Sequence, residues 1–390
     1  MSAIAGLLIG VSVLWRPSLG ASPAPLALSR DALTPLAGTV HDEIASGHIP
    51  GAVVLIGQGH DVAYREAFGL RMTTPTRTSM TVDTLFDLAS LTKVVATTTA
   101  VMQLVERGQL DLDAPASRYW PEFGTAEKRA ITIRDLLTHY SGLRPDVHLT
   151  RPWFGYQTAM TMLVAEHPLH SPRTEYVYSD ENFEVLGEIV RRVSGETLDQ
   201  YCDQHIFKPL GMLDTRFRPS PSQASRIAPT SSSQANGHAS VVVNDPTAQR
   251  MGGVAGHAGL FSTADDLGIF ATMLLDEGTF HGVQVLRGNS VALMARPASP
   301  PAASHARGLG WDLAEPFVAP RDGERPAPSY GHTGYTGTML WIDPASKTYV
   351  IALSNRTYPD GRGNAQPLRK AILNRVSASL NRTAIVPRVP

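Results

Sequence analysis

A chain of 390 residues with a formal net charge of -1 and no long basic run excludes the cationic surface that nucleic acid or an anionic membrane would select. A hydrophobic fraction of 43% against 18% charged describes an ordinary globular protein, long enough for two domains or for one carrying a large insertion. The single cysteine, Cys202, excludes an intrachain disulfide and the usual Cys-based zinc patterns.

The chain opens on a short apolar run, residues 3–15, followed by the small residues Ser18-Leu19-Gly20-Ala21 and by Ser22-Pro23-Ala24-Pro25. This pattern fits a secretory signal peptide, too short for a comfortable membrane span. Residues 1–25 are therefore set apart from the fold. The mature chain is expected to be exported, periplasmic or secreted, with no stable membrane span after cleavage.

A helix is predicted from Ser29 to Ser46. The apolar run Gly51 to Gly57 and the segment Asp61 to Phe68 then predict two strands turned by Gly59-His60 into a hairpin. Next comes FDLASLTKVVATTTAVMQLVERG, residues 86–108, in which a helix opens at Ser90 and stops at Gly108. Ser90 and Lys93 are three residues apart and share one helical face. Lys93 lies in an almost wholly apolar surround. Such a lysine is expected to lose pKa, because its charged form is poorly solvated, and to serve as the base that activates a serine nucleophile. From this stretch alone, a surface helix with an incidental Ser and Lys stays open.

Residues 109–170 read as helical and loop-like, with a helix beginning at Ile133 after a Thr132 cap. Further helices are predicted from Glu181 to Ser194, closing at Gly195, and from Leu198 to Phe207. Between residues 109 and 215 no comparable strand signal appears. The Pro/Ser/Ala-rich stretch 219–240 reads as a loop that edges a binding cleft. Strands return at Gly337–Ile342 and Thr348–Leu353, joined by the Asp343-Pro344 turn, and a helix from Gln366 to Leu380 closes the chain. Strands at both ends with helices between predict a mixed α/β fold. Its predominantly antiparallel sheet, flanked by helices, is built from residues 26–108 and 260–390, and an all-helical and loop domain, residues 109–259, is inserted.

Two more elements carry chemistry. In Tyr176-Val177-Tyr178-Ser179-Asp180, a phenol and a carboxyl two residues apart precede a helix, so they reach a cleft together or merely cap that helix. In Gly331-His332-Thr333-Gly334-Tyr335-Thr336-Gly337, opening the first C-terminal strand, glycines allow a substrate close to the backbone; a plain Gly-rich turn is the alternative.

In this order the three elements, Ser90-Leu91-Thr92-Lys93, Tyr178-Ser179-Asp180 and His332-Thr333-Gly334, resemble the serine β-lactamase and penicillin-binding-protein superfamily. The Tyr-x-Asx form is similar to its class C β-lactamase, DD-peptidase and esterase branch. The stretches Leu136 to Leu143 and Gly252 to Thr263 agree with that branch, the second with a subgroup associated with peptidoglycan peptides and amides. The resemblance implies an active site between a sheet domain and a helical domain. Ser90 would be the acylated nucleophile, Lys93 its base and Tyr178 a proton shuttle. Asp180 would stand at a position usually held by Asn. The backbone N–H groups of Ser90 and Tyr335 would form an oxyanion hole, with Thr333 and Gly334 beside them. No metal or organic cofactor is implied.

Two departures bear on substrate. His332 replaces a lysine that binds a carboxylate, and Asp180 adds negative charge, so neutral esters or amides are favoured over penicillins. The expected function is an exported serine hydrolase acting on small-molecule or peptidoglycan-derived peptides or amides. A carboxylesterase is the alternative, and a penicillin-binding sensor without fast turnover is an alternative of another class. His139 reads as structural and Asp245 as a turn residue. His257 is read as lining the cleft or, alternatively, as packing in the core or making a backbone hydrogen bond.

Overall fold

The computed structural model describes residues 28–149, 151–232, 242–315, 317 and 328–382. The expected signal peptide and residues 233–240 of the Pro/Ser/Ala-rich stretch lie outside them. The predicted hairpin is present as β1 (Gly51–Gln58) and β2 (Asp61–Met72). The short β3 (Thr78–Ser79) pairs with β2. Three small strands, β4 (Phe86–Asp87), β5 (Arg216–Phe217) and β6 (Leu260–Ser262), form a second sheet, and β7 (Thr279–Phe280) with β8 (Val283–Gln284) a two-stranded ribbon. The last four strands are β9 (Asp312–Ala314), β10 (Ser329–Thr333), β11 (Met339–Asp343) and β12 (Thr348–Ser354).

The main sheet runs β3-β2-β1-β12-β11-β10-β9, every neighbouring pair antiparallel. Its two ends come from the two ends of the chain, closed by β1 against β12 with Ala52 opposite Ser354. Both faces of β1 are covered, which is why it reads as an unbroken apolar run. Val53 and Leu55 face the larger core, while Ala52, Val54 and Ile56 face the smaller one. The closing helix, Gln366–Arg382, supplies Leu368, Ile372, Val376 and Leu380 to that smaller core. The spacing of four keeps all of them on one face.

The predicted helix from Ser29 to Ser46 is two helices, Arg30–Leu33 and Leu36–Ala45, because Pro35 between them has no N–H to continue the ladder. The third motif also needs correction. His332 and Thr333 end the strand β10 rather than opening one, and the turn beginning at Gly334 leads into β11. Ser329–Thr333 has no apolar alternation, so the strand was invisible to periodicity.

The Ser90 helix is central. It continues to Glu106 through a wider π-helical turn at Lys93–Thr98, and Gly108 follows with φ 70°. Such turns are frequent at functional sites. Leu91, Val94, Val95, Val101, Met102 and Leu104 are all fully buried, so this is a core helix, not a surface one. Against it packs the helix Asp180–Ser194, closed by Gly195 at φ 79°, and against that helix in turn packs Ile133–Thr138, entered through a Thr132–Asp135 capping box.

A glycine-rich loop, residues 252–259, wedges between this helix and Asp180–Ser194. Thr97 Oγ1 donates to the Gly256 carbonyl at 2.6 Å, and a Cβ on Gly256 would lie 1.8 Å from the Phe183 carbonyl oxygen. Gly256→Ala is therefore expected to destabilise the fold by about 3 kcal/mol through overpacking. Thermal denaturation checks this, and an unchanged Tm would contradict the close approach.

Candidate active site

Ser90 sits immediately after a strained residue. Ala89 has φ 46°, a conformation that costs a non-glycine residue about 1–3 kcal/mol. Asp87 holds it there. This buried carboxyl accepts from the Ala89 N–H at 2.9 Å and the Asn244 N–H at 2.7 Å. Burial pushes the Asp87 carboxyl up to about 6, against the pull of those two amides. The result is a serine turned into the cleft at the start of a buried helix.

Lys93 is wholly buried beneath it, and its Nζ donates to Ser90 Oγ at 3.0 Å and to the His257 carbonyl at 3.2 Å. The spacing argument holds: the two side chains meet. The expectation of a depressed pKa does not. Burial does pull the ammonium down, but the Asp180 carboxylate, 2.6 Å away, and the Tyr178 phenol more than offset it, so Lys93 is held above its ordinary value. The Tyr178 ring lies 5.0 Å from Nζ and adds cation–π attraction. Lys93 is an ammonium at rest.

Tyr178 and Asp180 reach the cleft together, because Ser179 between them caps the helix Asp180–Ser194. Both readings of this motif are therefore present at once. His139 fixes Tyr178. It stands in the left-handed conformation at the end of Ile133–Thr138 with φ 62°, and its ring stacks on Tyr178 at 4.5 Å. Burial and the nearby Arg307, Lys93 and His332 hold its pKa well below the ordinary value. The neutral ring accepts at Nδ1 from the Ser179 N–H at 3.0 Å, which places the proton on Nε2. His139 is structural, as expected, and what it supports is the catalytic tyrosine candidate.

The third wall is the turn after β10. Thr336 Oγ1 donates to the Asp87 carbonyl at 2.7 Å, and Thr338 Oγ1 to the Leu88 carbonyl at 3.0 Å. A Cβ on Gly334 would lie 2.4 Å from the Leu88 carbonyl oxygen, so glycine is required there. Arg369, from the closing helix, donates to the carbonyls of Gly334 at 2.6 Å and Thr338 at 2.9 Å. These bonds tie Thr333, Gly334 and Tyr335 to the segment carrying Ser90. The Arg356 guanidinium covers the exposed Tyr335 ring at 4.0 Å.

His332 is placed differently from its motif neighbours. Its side chain is buried and does not line the cleft. Nδ1 donates to the Thr333 carbonyl at 2.8 Å, and the ring lies 6.1 Å from that of Tyr178. Burial, with Arg307 and Lys93, holds it neutral, its pKa well below the ordinary value.

The cleft has a volume of about 1020 Å³, and Ser90, Tyr178, Asp180, Thr333, Gly334 and Tyr335 all open onto it. His257 lines it too, and so do Thr230 and Ser231 of the Pro/Ser/Ala-rich stretch. Sequence reasoning missed Asp87, Arg356 and Arg369, which belong to no motif and reach the site only through folding. It gave Asp245 a turn role, which is half of the finding. Asp245 caps Pro246–Arg250 by accepting from the Ala248 N–H at 2.8 Å, and it also lies 2.8 Å from His257 Nε2.

The family model described as Beta-lactamase matches residues 36–374. A Salmonella agona protein named "Putative D-alanyl-D-alanine carboxypeptidase" is 30% identical over 378 residues, covering 87% of this chain and 86% of that protein. A penicillin-binding protein homologue from Caulobacter crescentus superposes with a TM-score of 0.72 at 22% identity, over 90% of this chain and 99% of that one. A family VIII carboxylesterase superposes with a TM-score of 0.70 at 20% identity, over 90% and 97%.

Because Lys93 keeps its proton at rest, acylation is carried by the fraction of protein in which Lys93 has given it up, and kcat/KM should rise with pH above neutrality. In Asp180→Asn the burial of Lys93 is opposed by Tyr178 alone, and its pKa falls. The ascending limb should then move down by about one pH unit or more. A limb that stays in place would show that Asp180 does not set the charge of Lys93.

Proposed function

The chain belongs to the Beta-lactamase family of serine hydrolases, and we propose that it works through a Ser90 acyl-enzyme on peptidoglycan-type peptides or amides, as a DD-carboxypeptidase-like enzyme with weak or no β-lactamase activity. The observation that carries this reading is the 3.0 Å contact between Ser90 Oγ and the buried Lys93 Nζ, at the floor of a cleft that Tyr178 also lines. In this proposal the sheet-bearing part of the chain supplies the Ser90 and Tyr335 walls, and the insertion between its two segments supplies Tyr178 and Asp180.

In this account Ser90 attacks the scissile carbonyl, and the Lys93–Tyr178 pair takes its proton. The backbone N–H groups of Ser90 and Tyr335 receive the oxyanion, and Tyr178 hands a proton to the leaving amine. Water then cleaves the ester. The relatives named as D-alanyl-D-alanine carboxypeptidases support a peptide with a free C-terminal carboxylate as substrate, and Arg356 on the cleft wall offers that carboxylate a cation in place of the missing lysine. Export is part of the proposal: such substrates lie outside the cytoplasm, and no helix among the described residues is long and apolar enough to cross a membrane.

The neutral His332 favours one second reading, a carboxylesterase for small acyl esters. Muropeptides ending in D-Ala-D-Ala, digested by the full-length protein and analysed by mass spectrometry, distinguish the two. Loss of the terminal D-alanine, or of the whole peptide from its sugar, is expected, and it should fall about a million-fold in Ser90→Ala. Intact muropeptides beside rapid hydrolysis of small esters would transfer the function to the esterase reading.

A further inference from the structure

One cluster on the floor of the cleft shares Asp180 with the chemistry above but holds two further side chains that it does not use. Asp180 begins the helix Asp180–Ser194, Asp245 precedes Pro246–Arg250, and His257 comes from the glycine-rich loop. One donor atom from each lies within 4.8 Å of those of the other two. Asp180 and Asp245 are about one-fifth open to the cleft, at 22% and 21%, whereas His257 is buried at 1%. We propose that Asp180, Asp245 and His257 form a binding site for a divalent transition-metal ion, Zn²⁺ in the first place, inside the active-site cleft.

Two observations beyond the cluster point to a cation. The first lies behind the histidine. Its Nε2 faces Asp245, and its Nδ1 is 3.3 Å from Oε1 of Glu184, one helical turn after Asp180. This is the carboxylate–histidine arrangement that orients metal-bound imidazoles and sets their tautomer. The second is a buried carboxyl without a close donor. Apart from the 3.3 Å approach of His257 Nδ1, neither oxygen of the wholly buried Glu184 has a hydrogen-bond partner. A buried unpaired carboxyl is expensive unless positive charge is close. Lys93 faces Asp180 but is already shared with Ser90, and against the pull of burial Asp245, Asp180 and Glu184 hold the His257 imidazole up at about 10, so a metal ion would bind by displacing the proton of His257.

The donor set selects the ion. One imidazole and two carboxylates suit Zn²⁺ and its neighbours in a four-coordinate site whose last position faces the cleft. Mg²⁺ prefers six oxygens and is disfavoured. A bound cation whose open position faces the cleft would stand beside Ser90 in the path of the substrate, so occupancy should slow acylation of Ser90. The same residues would thus give the enzyme a metal-dependent brake.

The test is calorimetric titration of the EDTA-treated full-length protein with ZnCl₂, with MgCl₂ as control. One Zn²⁺ per chain is expected, with affinity reduced about tenfold or more in Asp245→Asn, in His257→Gln and in the second-sphere variant Glu184→Gln. Co²⁺ added to the wild type should give the visible absorption of a tetrahedral imidazole-ligated ion, a readout that does not depend on any variant folding. Zn²⁺ should also lower the rate at which an acylating probe labels Ser90, and EDTA should restore it. Absence of saturable Zn²⁺ binding, or equal binding by all the variants, would overturn the proposal.

Discussion

A lysine ammonium buried in the middle of the molecule is the constraint on which the site depends. Leaving such a charge unpaired would cost several kcal/mol, and the chain meets that cost with one carboxylate and two oxygen acceptors. Asp180 supplies the charge at 2.6 Å, while Ser90 Oγ and the His257 carbonyl take hydrogen bonds. Each acceptor comes from a different part of the chain. Satisfying Lys93 therefore assembles the nucleophile, the tyrosine-bearing helix and the glycine-rich loop around one atom.

The fold supplies rigidity to the same end. The tight wedge of the loop at Gly256 against the Phe183 carbonyl leaves no room for the His257 carbonyl to drift. On the opposite wall, Thr336 and Thr338 tie the turn after β10 to the carbonyls of Asp87 and Leu88, three and two residues before Ser90. Arg369 carries the tie into the closing helix, so the C-terminus of the chain holds the nucleophile's surroundings. Antiparallel closure of β1 on β12 makes this possible, because it brings the last hundred residues beside the first hundred.

What could be read from sequence was what is local. Ser90 and Lys93 meet because three residues on a helix fix their separation, and Tyr178 and Asp180 flank a cap residue for equally local reasons. The strands β1, β2, β11 and β12 announced themselves by apolar runs and turn residues. The failures were of two kinds. Pro35 was visible, but the apolar pattern across it was read as continuous. The charge state of Lys93 was not visible at all: its apolar neighbours in the chain argue for a depressed pKa, whereas the residue that decides the matter is eighty-seven positions away. Asp87, Arg356 and Arg369 escaped for that same reason, and so did the meeting of Asp245 with His257 and Glu184.

The central claim is that Ser90 is acylated during turnover. Its most direct test is to mix the full-length protein with an acyl-D-alanyl thioester, quench in acid within the steady state, and map the digested peptides by mass. The account predicts a mass increase equal to the acyl group, confined to the peptide containing Ser90. Turnover with no adduct, or an adduct on another residue, would contradict it.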